Sequence, residues 1–175
     1  MSQSPCPSHL THPFTFSELS PGTGSNQQPY FRALVFFTKK PGLTDDFFHE
    51  HWKSVHADLA ISIKGASVNL VRYVQFHHDA RHKEMLAPLL GQGMALAPYD
   101  GCAEFHAKDA EGFLRFMVDV HAAKELVGCG SRFIDEVKGM HIMAGYDNLI
   151  FGGKIGTSGG SDGLLGGDRR FGNVK

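Results

Sequence analysis

Phe31-Arg32-Ala33-Leu34-Val35-Phe36-Phe37, then Pro41-Gly42, then Thr44-Asp45-Asp46, is the stretch whose reading decides the fold. The seven-residue run is dense in aromatic and β-forming side chains and predicts a strand. Pro41-Gly42 predicts a turn. Thr44 ahead of two acids predicts a helix start, with a hydroxyl to cap the first amides and carboxylates where the helix dipole favours them. The helix should run over 45–63, because Phe48, Trp52, Val55 and Leu59 recur at threes and fours and form one apolar stripe.

Working outward, 68–76 reads as a second strand. Val68, Leu70, Val74 and Phe76 share one face, interrupted by Arg72, while Asn69, Val71, Tyr73, Gln75 and His77 share the other. Residues 80–98 read as irregular, with one short helix near 81–90 and breakers at Pro88, Gly91, Gly93 and Pro98. A third strand is expected at 101–106, a second helix over 109–127 with Phe113, Phe116, Met117 and Val120 on one side, and a fourth strand over 140–151. The order β-α-β-β-α-β is the α+β, ferredoxin-like pattern. One sheet face packs on the helices. The other still carries large apolar residues, which predicts a second copy against it and a two-fold homodimer, a dimeric α/β barrel.

The flanks differ in composition. Residues 1–29 are rich in Ser, Pro, Thr, Gly and Gln and read as a flexible N-terminal arm carrying His9 and His12. Residues 152–175 contain nine glycines and read as a C-terminal tail or lid, without the GK[ST] ending of a phosphate loop. The folded domain is therefore expected at 30–151.

Composition excludes several classes. With 175 residues and a net charge of −1, the chain suits one domain and shows no basic stripe for nucleic acid. Three cysteines without a CxxC pair argue against a disulfide framework and a thiolate zinc site. No secretory or mitochondrial leader is read at the start, and no run approaches the roughly 18 apolar residues of a membrane span. A cytoplasmic protein with no membrane partner is expected.

Particular residues match a known family. Lys39-Lys40-Pro41-Gly42-Leu43-Thr44, then Phe47, Phe48, Trp52 and Val55-His56-Ala57, resemble the opening of the EthD family. Arg72-Tyr73-Val74-Gln75 resembles its second strand, and Tyr99-Asp100-Gly101 with Ala103 and Glu104 its third. The resemblance covers roughly 31–150. The run from Gly139 to Asn148 and the Gly-rich tail look more like fungal polyketide-cluster members than bacterial ether-degradation members. That resemblance implies decarboxylation, or cyclisation or dehydration, of an aromatic polyketide acid, with anthrone carboxylic acids of the atrochrysone type as first substrates.

The chemistry is expected from histidine. Eleven histidines are many for this length, and imidazole titrates near neutral pH without help. His56 is the first choice of acid–base residue, since it lies four residues after Trp52 and shares its face. Its alternative is a core histidine bonded to backbone. His49-Glu50-His51 is not the His-Glu-x-x-His spacing of a metal helix, so no metal is expected there. Tyr73, Gln75 and His77 fall on one face of the second strand, and Asp100, Cys102, Glu104 and His106 on one face of the third. Neighbouring strands about 5 Å apart can bring such side chains into one pocket. Asp100 serves equally as a turn residue before Gly101. His121 ends the second helix, where related cyclases of the same superfold carry a base. It can also cap helix carbonyls. His141 lies on the last strand.

Together with what the resemblance implies, these residues lead to the expectation of a cofactor-free decarboxylase. His56, Asp100, Tyr73, His121 and His106 are the candidate catalytic residues, and Trp52, His51, His77, Glu104, Phe116 and His141 the candidate substrate contacts. His56 would donate and return the proton, and Asp100 or Glu104 would hold its tautomer and raise its pKa. Tyr73 or a histidinium would face the developing oxyanion. The alternatives are a cyclase or dehydratase, an anthrone oxygenase using the same pocket, and a non-catalytic carrier of a hydrophobic ligand.

Overall fold

The computed structural model describes residues 8, 10–22, 26–91, 93–156 and 158–162. The last thirteen positions of the expected tail, and most of the first nine of the arm, lie outside the described residues. The chain divides into two units, Tyr30–Gly145 and a smaller one made of Met1–Pro29 with Tyr146–Lys175. Within the smaller unit the two segments pair. The Gln28 amide donates to the Asp147 carbonyl at 2.8 Å, and Leu149 N donates to Asn26 O at 3.0 Å.

The larger unit runs β1 Phe31–Phe37, α1 Asp45–His51, a π-helical turn Trp52–His56, α2 Ala57–Ile61, α3 Ala66–Asn69 and β2 Leu70–His77. It continues through α4 Ala80–Met85, a short 3-10 turn Ala87–Leu89, β3 Gly101–Ala107, α5 Ala110–Ala122, α6 Lys124–Phe133 and β4 Met140–Gly145. The four strands form one antiparallel sheet in the order β2-β3-β1-β4, which is the ferredoxin-like fold.

Local chemistry sets the boundaries. Thr44 Oγ1 accepts from Phe47 N at 3.2 Å, and Asp45 and Asp46 occupy the first turn of α1. Gly42 takes the positive φ of 84° that the turn before it requires. Asp79 and Asp109 cap α4 and α5 in the same way, accepting from His82 N at 3.0 Å and Gly112 N at 2.6 Å.

The core lies between the helices and one face of the sheet. Trp52, Phe48, Phe116 and Phe133 are its largest fully buried side chains. Phe37 stands edge-on to Trp52 with ring centres 4.8 Å apart, and also meets Phe48 and Phe133, the arrangement aromatic quadrupoles prefer. A second cluster joins Ala33, Ala107 and Phe113 with Leu70 and Met117.

Four local expectations change. The first helix carries a π turn, whose i→i+5 bond runs from Ala57 N to Trp52 O. Residues 66–69 are a helical turn rather than strand, and a bulge between Leu70 and Arg72 moves Leu70 to the helix-covered face. The second helix breaks at Ala123 (φ −80°, ψ 86°) into α5 and α6. The fourth strand ends at Gly145.

Candidate functional site

The register of β2 on β3 decides which polar residues meet. Tyr73 stands opposite Phe105, Gln75 opposite Ala103 and His77 opposite Gly101. These pairs share the helix-covered face. Arg72 stands opposite His106 and Val74 opposite Glu104, on the other face. The single pocket expected from Tyr73 and His77 with Glu104 and His106 is therefore split by the sheet, because Cys102, Glu104 and His106 alternate away from Ala103 and Phe105.

On the helix-covered side, α1 and the π turn lie over β2. Trp52 reaches the sheet beside Gly101, where a Cβ would come within 2.6 Å of the indole Cζ3. Glycine at this position makes room for the ring. The same indole lies 4.3 Å, centre to centre, from the His77 ring.

A polar string runs under that ring. His49 Nδ1 lies 2.7 Å from His77 Nδ1, and His77 Nε2 lies 3.3 Å from Gln75 Oε1. Gln75 Nε2 donates to the Tyr73 hydroxyl oxygen at 2.8 Å and to the Trp52 carbonyl at 3.0 Å. The Trp52 side chain lies beside Tyr73 and, like the Gln75 amide, lowers its pKa. Tyr73 stacks on Phe105 with ring centres 5.0 Å apart. Burial raises the Tyr73 pKa against the lowering effect of these bonds, so the phenol keeps its proton. Burial lowers the pKa of His77 to about 4, with His49 and Lys53 adding to the effect. Burial also lowers the pKa of His49, against the pull of Asp45, Asp79 and Asp100. Both rings are neutral at pH 7.

His56 faces elsewhere. Its ring packs edge-on against Phe133 of α6, with centres 4.9 Å apart, and its buried Nδ1 has no hydrogen-bond partner. Burial, and secondarily His51, lower its pKa to about 4. This is opposite in sign to the expected rise, and the reason is geometric. Asp100 Oδ1 is held by Lys83 Nζ at 2.8 Å and Asp100 Oδ2 by Lys39 N at 2.9 Å, while Glu104 pairs with Arg32 at 2.6 Å across the other sheet face. Neither carboxylate serves His56. Asp100 itself lies below the usual carboxylate range, because Lys83 and the Lys39 amide outweigh its burial. His51 Nε2 meets Cys129 Sγ at 3.2 Å and its ring stacks on Phe47. Burial pushes the Cys129 thiol up, so this is a neutral thiol beside an imidazole.

The remaining candidates are dispersed. His121 is exposed, and its Nδ1 lies 2.6 Å from Met117 O, which it bonds as a helix-end cap. His106 is buried on the open sheet face beneath Tyr30, with ring centres 5.0 Å apart. His141 is exposed on the edge strand β4 near Tyr99. Phe116 is fully buried against Phe105. Sequence reasoning missed His49 as a member of the string and placed Gln75 beside Tyr73 and His77 without giving it a role. His49 lies off the apolar stripe, and Gln75 carried only the signal of sharing a face with Tyr73 and His77. Among the described residues no group of three or more His, Cys, Asp or Glu is placed to hold a metal ion, and no helix is long and apolar enough to cross a membrane.

Comparison with known proteins gives consistent relatives. The EthD domain profile matches residues 40–136. The chain is 22% identical over 142 residues to the decarboxylase claH of Passalora fulva, covering 81% of this chain and 92% of that protein. It is 25% identical over 126 residues to the decarboxylase nsrE of Aspergillus novofumigatus, covering 71% and 80%. Among solved structures, an EthD family protein from Bacillus halodurans aligns with a TM-score of 0.43 at 18% identity, covering 67% of this chain and 98% of that one. A dimeric ferredoxin-like protein of unknown function from Thermobifida fusca aligns with a TM-score of 0.40 at 16% identity, covering 69% and 91%.

Proposed function

Because the chain belongs to the EthD domain family, and curated fungal relatives are named decarboxylases, we propose that it is a cofactor-free decarboxylase of an aromatic polyketide carboxylic acid. The observation that carries the reading is the state of Tyr73. Its oxygen accepts from Gln75 Nε2 and burial keeps the phenol protonated, so its O–H remains to donate. A protonated phenol fixed on the covered face of a sheet, among aromatic rings, is a preorganised donor for a developing oxyanion.

The chemistry needs little more. The carbon–carboxylate bond breaks and its electron pair moves onto the adjacent carbonyl oxygen, which Tyr73 stabilises. CO2 leaves, and the carbon takes the Nε2 proton of His77, which lies against the same Gln75 amide as the Tyr73 hydroxyl, while a second proton reaches the ring's Nδ1 so that the imidazole stays neutral. One proton from solvent balances each CO2 lost.

The protein would work as a two-fold homodimer. The open sheet face carries Leu34, Phe36, Val74, Phe76 and Met143, with Phe76 and Met143 each 58% exposed. A second copy of the same face covers such a surface.

The test is incubation of the full-length protein with an anthraquinone-type polyketide carboxylic acid, with and without a chelator, followed by mass spectrometry. Loss of CO2 at equal rates in both arms is expected. Loss of water instead would assign a cyclase or dehydratase. Tight binding without turnover would assign a carrier, and inhibition by the chelator would overturn the cofactor-free mechanism.

A further inference from the structure

One amide touches three parts of the site. Gln75 Nε2 donates both to the Trp52 carbonyl and to the Tyr73 hydroxyl oxygen, and the carbonyl can only accept, so the NH2 end must face that way. Trp52 O is also the acceptor of the π turn's own i→i+5 bond, which anchors the amide to a fixed backbone feature. Gln75 Oε1 then faces His77 Nε2 at 3.3 Å. A carbonyl oxygen only accepts, so His77 Nε2 bears hydrogen. In a neutral imidazole this leaves Nδ1 as the acceptor. His77 Nδ1 lies 2.7 Å from His49 Nδ1, so the hydrogen of that bond belongs to His49, and the His49 lone pair is on Nε2.

We infer that Gln75 is a positioning residue that sets the protons on two rings, holding His77 as the Nε2–H tautomer and His49 as the Nδ1–H tautomer. The His77 Nε2–H is thus held on Gln75 Oε1 beside Tyr73 until a substrate atom replaces that acceptor, and the pair takes up its next proton at His49 Nε2. The surrounding charges agree. Asp45, Asp79 and Asp100 act on His49 in favour of its cation and only Lys39 opposes them, whereas Lys53 disfavours a cation on His77. The catalytic consequence rests on the decarboxylase reading; the tautomers do not. In that reaction His77 gives its Nε2 proton to the substrate carbon and takes the Nδ1 proton of His49. His49 Nε2 is recharged from water. One proton moves from solvent to carbon, and no electrons pass between protein and substrate.

The test is two-bond proton–nitrogen correlation NMR on full-length protein with 15N-labelled histidine, beside Gln75→Leu and Gln75→Glu. Wild type should show His77 protonated at Nε2 and His49 at Nδ1. In Gln75→Leu both rings should become tautomer mixtures, and kcat should fall about tenfold or more with KM little changed. Gln75→Glu keeps the acceptor and loses the amide donors, so His77 should stay Nε2–H while the rate still falls. Wild-type His77 protonated at Nδ1, or tautomers unchanged in Gln75→Leu, would overturn the inference. Expected tautomers in a protein that releases no CO2 would overturn the decarboxylase reading alone.

Discussion

His49 and His77 meet through like atoms, the Nδ1 of each ring, 2.7 Å apart. Two nitrogens at that distance share one hydrogen, so the rings titrate as a pair and neither has a private pKa. The arrangement draws α1 down onto the free edge of the sheet, since β2 is its outermost strand on that side. The partners of this pair set the chemistry proposed for the site.

Tyr73→Phe tests the oxyanion donor. It removes the O–H and leaves the ring on Phe105, so folding should be little changed. The rate of CO2 release should fall by about 10²–10³, as for the loss of one preorganised donor. Steady-state kinetics with matched circular dichroism spectra checks this, and an unchanged rate would remove Tyr73 from the mechanism.

Buried neutral histidines make stability depend on acid. The pKa of His56 lies near 4 in the fold, and burial also lowers the titration of the His49–His77 pair, against about 6.5 for histidine in the unfolded chain. Between these values the unfolded state binds more protons, so stability is complete above about pH 6.5 and declines as the pH falls toward 4. For His56 alone the loss approaches about 3 kcal/mol as an upper bound. Urea midpoints measured from pH 7.5 to 4 should show the decline, and His56→Leu should flatten it.

Gly101→Ala should displace the indole. A methyl there meets two atoms of the Trp52 ring and Phe37 Cζ, all rigid aromatic groups. The expected cost is about 1–3 kcal/mol. Trp52 is the only tryptophan in the chain, so intrinsic fluorescence reports its movement directly. An unshifted emission maximum with unchanged stability would show that the ring has slack.

Phe76→Glu places a charge on the open sheet face, outside the polar string. Sedimentation equilibrium should show a homodimer for the wild type and a monomer for the variant. A wild-type monomer at micromolar concentration would remove the two-fold assembly.

The fold was legible because its signals are local. Phe31–Phe37 is a strand as read, Thr44 caps the first helix, and Tyr73, Gln75 and His77 share a face by simple alternation. What stayed hidden depends on register or on single inserted residues. The π turn follows Trp52 and turns Val55, read as part of the apolar stripe, out to 49% exposure, which the periodicity of the sequence does not show. The bulge after Leu70 reverses that residue's face without a glycine or proline to mark it. Ala123 breaks a helix with no breaker in its side chain. The supposed bond from His56 to Asp100 or Glu104 failed because sequence does not show that Lys83, the Lys39 amide and Arg32 reach those carboxylates first.

The π turn at Trp52–His56 also makes the site depend on chain length. The turn holds one residue more than an α-helix needs, so deleting any one of the exposed Lys53, Ser54 or Val55 would close it to α geometry and leave the rest of the helix in its present register. Trp52 would stay over Gly101 and His56 against Phe133. An added residue has no such outlet and would turn everything after it by about 100°, so chain length at these positions is open to loss and closed to gain.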